Sequence, residues 1–136
     1  MCGIYDLEVL LKGSSLMGVI PQTAKMVLDF DLKKDFSNIK DFKYYDYISP
    51  SHFVNDKWCP TFICWADDDL VCQNQGEPMA EKLQKCVPYF DSYHVKGFHN
   101  NHCFHLNFGM GNKPAVECMN KSLEFLKEIT KEVSYK

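Results

Sequence analysis

The chain has 136 residues, of which 46% are hydrophobic and 24% are charged, and its formal net charge is −3. This length fits one domain, and the composition is typical of a folded globular protein. The small negative charge and the scattered lysines give no electrostatic basis for binding nucleic acid or an anionic membrane surface, so we expect neither as a partner.

The first 60 residues show little regular pattern. The opening letters MCGIYD indicate the end of a buried strand, and Asp6 is a candidate cap for a short amphipathic helical turn. A helix is predicted over 22–30, after a stretch rich in glycine and serine. An extended or turn segment is predicted to begin before Pro50, since a residue that precedes proline avoids the helical region.

The second half alternates between strand and helix patterns. The run TFICW at 61–65 is continuously apolar, which is typical of a strand buried on both faces of a parallel sheet. A second strand, at the sheet edge, is predicted over 90–95. Helical spacing predicts helices over 74–87 and after Asn112, which is a plausible cap with Pro114 in the first turn. This order of elements predicts an α/β fold with crossover helices over a parallel sheet.

Two clusters of chemically active side chains follow the predicted strands. WADDDLVC at 65–72 supplies three carboxylates, and HNNHCFHL at 99–106 supplies three histidines: Asp67, Asp68, Asp69, His99, His102 and His105. Ligands of open α/β sheets bind beyond the carboxyl ends of the strands. A carboxylate there can hold a histidine ring in one tautomer while the ring takes a proton from a nucleophile. The pattern therefore predicts an aspartate–histidine pair.

Seven cysteines are a high and odd number for this length, and none are spaced as C-x-x-C. No amino-terminal stretch has the pattern of a signal peptide, so we interpret the cysteines as reduced thiols of a cytoplasmic protein. The group His99, His102, Cys103 and His105 permits a zinc interpretation, but its spacing matches no compact site. We therefore expect no metal and no cofactor.

Five short segments occur in an order known from one enzyme family. They are GIYDL at 3–7, ISP at 48–50, PTF at 60–62, WADDDLV at 65–71 and GFHNNHCFHL at 97–106. In these segments the chain resembles the carboxyl-terminal half of the α/β-hydrolase family, especially its carboxylesterase and acetylesterase-like members. The resemblance spans essentially the whole chain. Cys72 stands where the family has a proline, Trp65 stands where a small residue is usual, and the histidine loop is two residues longer than common.

The resemblance implies roles for particular members of the two clusters. The acid loop of the family often contains Asp-x-x-Val, which falls on Asp68 and Val71, so Asp68 is the expected triad acid. Asp67 and Asp69 are the alternatives, otherwise interpreted as surface and capping residues. The family's His-x-Phe-His begins at His102, which makes His102 the expected catalytic base.

The resemblance also implies a domain organisation. Residues 1–136 would be the C-terminal part of a single α/β-hydrolase domain, a partial α/β-hydrolase fold. Within it, 13–45 would be a helical cap-like insertion, and 60–136 would hold the strand–helix units that carry the acid and the histidine.

The chain contains no G-x-S-x-G sequence, the nucleophile elbow of these enzymes. We expect the C-terminal portion of a serine hydrolase of carboxylic esters that supplies the triad acid and base and lacks the nucleophile. The expected partners are a small ester substrate in the complete enzyme and either the missing N-terminal half or a second copy across an exposed sheet edge. The alternatives are an amidase, such as a formamidase of the same fold, and a non-catalytic interaction protein.

Overall fold

The computed structural model describes residues 5–13, 20–67, 69, 74–97 and 102–131. Its helices and strands are α1 (Leu7–Gly13), α2 (Ile20–Leu28), β1 (Thr61–Ala66), α3 (Gly76–Cys86), β2 (Phe90–Val95) and α4 (Lys113–Thr130). Short 3-10 helices occupy Ile39–Asp41, Tyr45–Tyr47, Pro50–Phe53 and Phe104–Met110. The described part of the chain is therefore a mixed helix and strand structure, compatible with the α/β class. Most of the predicted opening strand lies outside the described residues.

The described strands form a two-stranded parallel sheet. β1 and β2 pair in register from Thr61 with Phe90 to Ala66 with Val95, and α3 connects them. A parallel connection needs a crossover of this kind, because the chain must return to the same end of the sheet before the second strand starts. The predicted order of strand, crossover helix and strand is confirmed.

The two faces of β1 are covered by different helices. Ile63 packs against Met79 and Leu83 of α3 on one face. Cys64 lies on the opposite face, because successive side chains of a strand alternate, and it packs with Cys118 of α4. Both strand residues are 2% exposed, so the prediction of a strand buried on both faces is confirmed.

The beginning of α3 lies directly against the side chain of Trp65. A Cβ atom built on Gly76 would lie 2.2 Å from Cγ of the indole, far closer than two carbon atoms can approach. Gly76 therefore accommodates the tryptophan that stands where the resembled family has a small residue.

Replacing Gly76 with alanine is expected to destabilise the fold by about 1–3 kcal/mol, because the added methyl group overpacks a filled space. Urea unfolding followed by circular dichroism measures the change. Gly109→Ala is the matched control, since a Cβ there would meet nothing within 4 Å. Equal unfolding midpoints for the two variants would contradict this account of the Trp65 packing.

Most predicted helices are present, with shifted ends. The side chain of Asp6 accepts a hydrogen bond from the Val9 N–H at 3.1 Å, which confirms it as the cap of α1. The helix predicted over 22–30 is α2, and it lies two residues earlier because Pro21 is compatible with the first helical turn. It ends at Leu28 because Asp29 has a φ of 48°, in the left-handed region.

The last two helices, α3 and α4, are also present where the sequence predicts them. α3 is shorter than predicted, since Asn74 has a φ of 57° and the helix begins only at Gly76. The cap of α4 is confirmed, because the side chain of Asn112 accepts a hydrogen bond from the Ala115 N–H at 3.2 Å. The loop predicted between β2 and α4 contains a 3-10 helix, Phe104–Met110, which the sequence pattern does not reveal.

The amino-terminal part of the described chain is joined to the start of α3 by the buried side-chain amide of Gln75. The side-chain oxygen of Gln75 accepts hydrogen bonds from the backbone N–H groups of Tyr5 and Asp6 at 2.9 and 2.8 Å. Its side-chain NH₂ donates to the carbonyl of Asp6 at 3.0 Å. Residues 20–45 have a separate small core of Ala24, Leu32, Phe36 and Ile39.

The cysteines within the described residues form no disulfide: Cys59, Cys64, Cys86, Cys103 and Cys118. The pKa of the Cys118 thiol is raised because it hydrogen-bonds with Cys64 and because it is buried. None of the described helices has the length and apolar character needed to cross a membrane.

Candidate acid–base site

The segments that follow the two strands begin side by side. β1 and β2 pair in register up to their last residues, Ala66 and Val95. The backbone N–H of Asp67 then donates to the carbonyl of Val95 at 3.1 Å, which extends the pairing by one residue. The segments that carry the acidic cluster and the histidine cluster therefore both leave the sheet at the carboxyl ends of the strands, as the sequence predicts.

Asp69 and His102 form a hydrogen-bonded pair. Nδ1 of His102 lies 3.0 Å from each carboxylate oxygen of Asp69. Asp69 is 2% exposed, whereas the His102 side chain is 43% exposed. Burying a carboxylate is costly unless a charged or hydrogen-bonding partner compensates for the lost water, and the imidazole is such a partner. The arrangement joins a buried acid to a solvent-accessible ring.

The structure describes two of the three aspartates, Asp67 and Asp69. Asp68, the acid implied by the family resemblance, lies outside the described residues. Asp69, one residue later, is the carboxylate that reaches His102. The interpretation of Asp69 as a surface residue is wrong, because its side chain is almost completely buried. A run of three identical residues carries no spacing signal that could have selected it.

The hydrogen bond to Asp69 determines what His102 can do chemically. A carboxylate only accepts hydrogen bonds, so the ring carries its proton on Nδ1, and Nε2 holds the lone pair in the neutral form. Among the described residues, Nε2 of His102 has no hydrogen-bond partner. It is therefore placed to accept a proton from a hydroxyl group or a water molecule.

The residues after His102 fix the histidine loop to the sheet. Cys103 has a φ of 57°, in the left-handed region, where a residue other than glycine is uncommon. Phe104 follows it and is 0% exposed, packed with Cys64 of β1, Val95 of β2 and Cys118 of α4. The buried phenyl ring thus places His102 beside the ends of both strands.

Asp67 has a different histidine partner. One carboxylate oxygen of Asp67 hydrogen-bonds with Nε2 of His94, and the other accepts from the Gly97 N–H at 3.1 Å. These two hydrogen bonds hold the pKa of Asp67 below its usual range, and the bond to His94 has the larger effect. His94 stacks on Trp65, with ring centroids 4.7 Å apart and an interplanar angle of 17°. The side chain of His94 is 24% exposed, so it is partly buried between Trp65 and Asp67.

The lowered pKa of Asp67 predicts a specific pH dependence of stability. The unfolded carboxyl titrates near ~3.9, so the folded contribution is present above this pH and is lost as the pH falls through the lower folded value. The gap in free energy of unfolding between the wild-type chain and Asp67→Asn should therefore shrink below about pH 4. Urea titrations between pH 5 and pH 3 measure this gap, and a gap that widens below about pH 4 would contradict the assignment.

Of the other two histidines in the cluster, the structure describes His105. His105 packs edge-on against Phe104, with ring centroids 5.9 Å apart. His99 lies outside the described residues. Within the part of the chain that the structure describes, which omits His99, no group of three or more potential ligands lies close enough to hold a metal ion.

A separate group contains a serine, a histidine and an aspartate: Ser51, His52 and Asp6. Ser51 donates to a carboxylate oxygen of Asp6 at 3.3 Å, and Nε2 of His52 lies 3.8 Å from the same oxygen. Here the carboxylate lies between the other two groups, so the imidazole is not placed to take the proton of the serine. This group, which the sequence analysis missed, lacks the order of contacts that nucleophilic catalysis requires.

Comparisons with models of protein families, with curated proteins and with solved structures gave no match to this chain.

Proposed function

We propose that this chain supplies the acid and the base of a serine hydrolase that acts on carboxylic esters, with a partial α/β-hydrolase fold. The observation that carries the proposal is the contact between the buried carboxylate of Asp69 and Nδ1 of His102. In this proposal Asp69 has the role that the family resemblance implies for Asp68, and His102 keeps its implied role as base.

The order of the elements supports the proposal. An acid after one parallel strand and a histidine after the next form the end of the Ser…Asp…His order found in α/β-hydrolases. Both groups lie beyond the carboxyl ends of β1 and β2, where ligands of open α/β sheets bind. Fold analogy alone does not establish an activity, so the proposal rests on the contact between Asp69 and His102 and on the exposure of the His102 ring.

The pair would act through proton transfer. As a serine hydroxyl attacks the ester carbonyl, Nε2 of His102 takes its proton, and Asp69 stabilises the resulting imidazolium while holding its orientation. The imidazolium then gives the proton to the departing alcohol. A water molecule, activated by His102 in the same way, then attacks the acyl-serine and releases the carboxylic acid product. The serine and the donors to the oxyanion belong, in this proposal, to polypeptide outside the 136 residues.

A purified preparation of the 136 residues is therefore expected to hydrolyse p-nitrophenyl acetate no faster than His102→Ala does. The reason is that the base has no serine hydroxyl to activate, and general acid–base catalysis supplies only about 10²–10⁴-fold of an enzyme's total acceleration of about 10⁶-fold or more. Initial rates from absorbance measure this. Turnover by the wild-type chain that is lost in His102→Ala would contradict the proposed external nucleophile.

The proposal itself is tested with a fluorophosphonate probe, which labels activated serines covalently. Lysate of the source cells is labelled, labelled proteins are captured, and peptides of this chain are sought by mass spectrometry. Recovery in a labelled polypeptide longer than 136 residues supports the hydrolase. Detection only in an unlabelled species near 15.8 kDa favours the non-catalytic interaction protein instead.

A further inference from the structure

Asp67, the residue directly after β1, makes hydrogen bonds with three residues in or just after β2. Its N–H donates to Val95, its carboxylate accepts from the Gly97 N–H at 3.1 Å, and the same carboxylate hydrogen-bonds with His94. Gly97 has a φ of 63°, a conformation that favours glycine, so the chain turns at the point where Asp67 holds it. One side chain thus connects the end of β1 to the turn that follows β2.

His94 is itself held in place by an aromatic contact. Its ring stacks on Trp65, its partner in the register of the two strands. Gly76 provides the space that the indole needs at the start of α3. His94 therefore presents its ring nitrogen to Asp67 from a position fixed by the sheet and by one helix.

The positions of Asp67 and Gly97 limit where the acid–base pair can lie. Asp69 is two residues beyond Asp67, and His102 is five residues beyond Gly97. An extended chain spans at most about 3.5 Å per residue, so fixing both departure points restricts how far Asp69 and His102 can separate. A hydrogen bond within such a restricted pair loses less conformational entropy when it forms.

We propose that Asp67 and His94 are positioning residues that hold the turn before His102 against the end of β1, so that His102 meets Asp69. Their relevance to catalysis rests on the proposed hydrolase function, whereas the positioning concerns the geometry of this chain alone. Neither residue contacts the reacting atoms in this proposal.

The experiment uses nuclear magnetic resonance of the full 136-residue chain with ¹⁵N-labelled histidine. The signal of interest is the Nδ1 proton of His102, which is strongly deshielded when it donates to a carboxylate and is identified by its loss in His102→Gln. Asp67→Ala removes both carboxylate hydrogen bonds. His94→Phe keeps an aromatic ring against Trp65 and removes the ring nitrogens. Asp91→Asn, at an exposed acid on β2, is the control of equal charge change.

In Asp67→Ala and in His94→Phe, the His102 Nδ1 proton is expected to exchange with water about tenfold faster or to disappear, because the pair opens more often. Backbone amide signals of the two strands should persist, and Asp91→Asn should match the wild-type chain. Asp67→Asn, whose side-chain carbonyl can still accept from Gly97, should restore slower exchange.

A merely structural role would lower the melting temperature and leave the proton unchanged in the folded population. Wild-type exchange in both Asp67→Ala and His94→Phe would therefore overturn the proposal, as would absence of the signal from the wild-type chain. If Asp67→Ala does not fold, His94→Phe decides alone, and wild-type exchange in that variant overturns the proposal. This measurement needs no activity, so a negative result with the fluorophosphonate probe would remove the hydrolase assignment and leave the positioning result intact.

Discussion

Phe104→Ala is expected to lower the free energy of unfolding by about 3–5 kcal/mol, the largest stability effect that we predict for a single residue. The phenyl ring is 0% exposed and packs on residues of β1, β2 and α4. Its removal leaves a cavity where three elements meet, and the surrounding backbone cannot close that space completely. Chemical unfolding followed by tryptophan fluorescence measures the loss.

Phe108→Ala is the matched control for this substitution. It removes the same side chain from the same short segment, beyond a kink at Asn107, but Phe108 is 48% exposed. Its expected cost is within about 1 kcal/mol, since substitutions away from the core usually have small effects. Equal losses in the two variants would show that Phe104 does not join the histidine loop to the sheet.

In the proposed serine hydrolase, Asp69→Asn is expected to slow covalent labelling by the fluorophosphonate probe about 10⁴-fold. The amide of asparagine can donate to Nδ1 of His102, which favours the tautomer with its proton on Nε2. That nitrogen then cannot accept the proton of the serine. The rate of labelling at limiting probe concentration measures the effect.

Two variants make the Asp69 result specific. Asp91→Asn changes the same charge at an exposed position on β2 and should label at the wild-type rate. Asp68→Asn tests the acid implied by the family resemblance. A large loss in Asp68→Asn combined with a wild-type rate in Asp69→Asn would return the role of acid to Asp68.

The sheet and its helices follow from local patterns in the sequence. Three features depend only on residues that are close together in the sequence. They are the apolar run of β1, the helical spacing in α3 and the cap at Asn112. The end of α2 was harder to predict, because it depends on the left-handed backbone of Asp29. Aspartate also occurs inside helices, so the residue type does not show that the helix stops here, whereas the backbone angles do.

A contact between an aspartate and a histidine could be predicted from the sequence, but not which aspartate makes it. The sequence indicates an aspartate–histidine pair at adjacent strand ends and identifies His102, but the choice among three consecutive aspartates depends on the path of the loop. Asp69 contacts His102 and is buried, and the sequence of a polar run does not show which of its members is buried. The partnership of His94 with Asp67 was missed for a related reason, since it depends on stacking against Trp65.

The most direct test of the account is the Nδ1 proton signal of His102 in Asp69→Asn and Asp68→Asn, measured on the purified 136-residue chain. The account predicts that the deshielded signal is present in the wild-type chain, persists in Asp68→Asn and is lost in Asp69→Asn. Persistence of the signal in Asp69→Asn, or its loss in Asp68→Asn alone, would contradict the assignment of Asp69 and His102 as the acid–base pair.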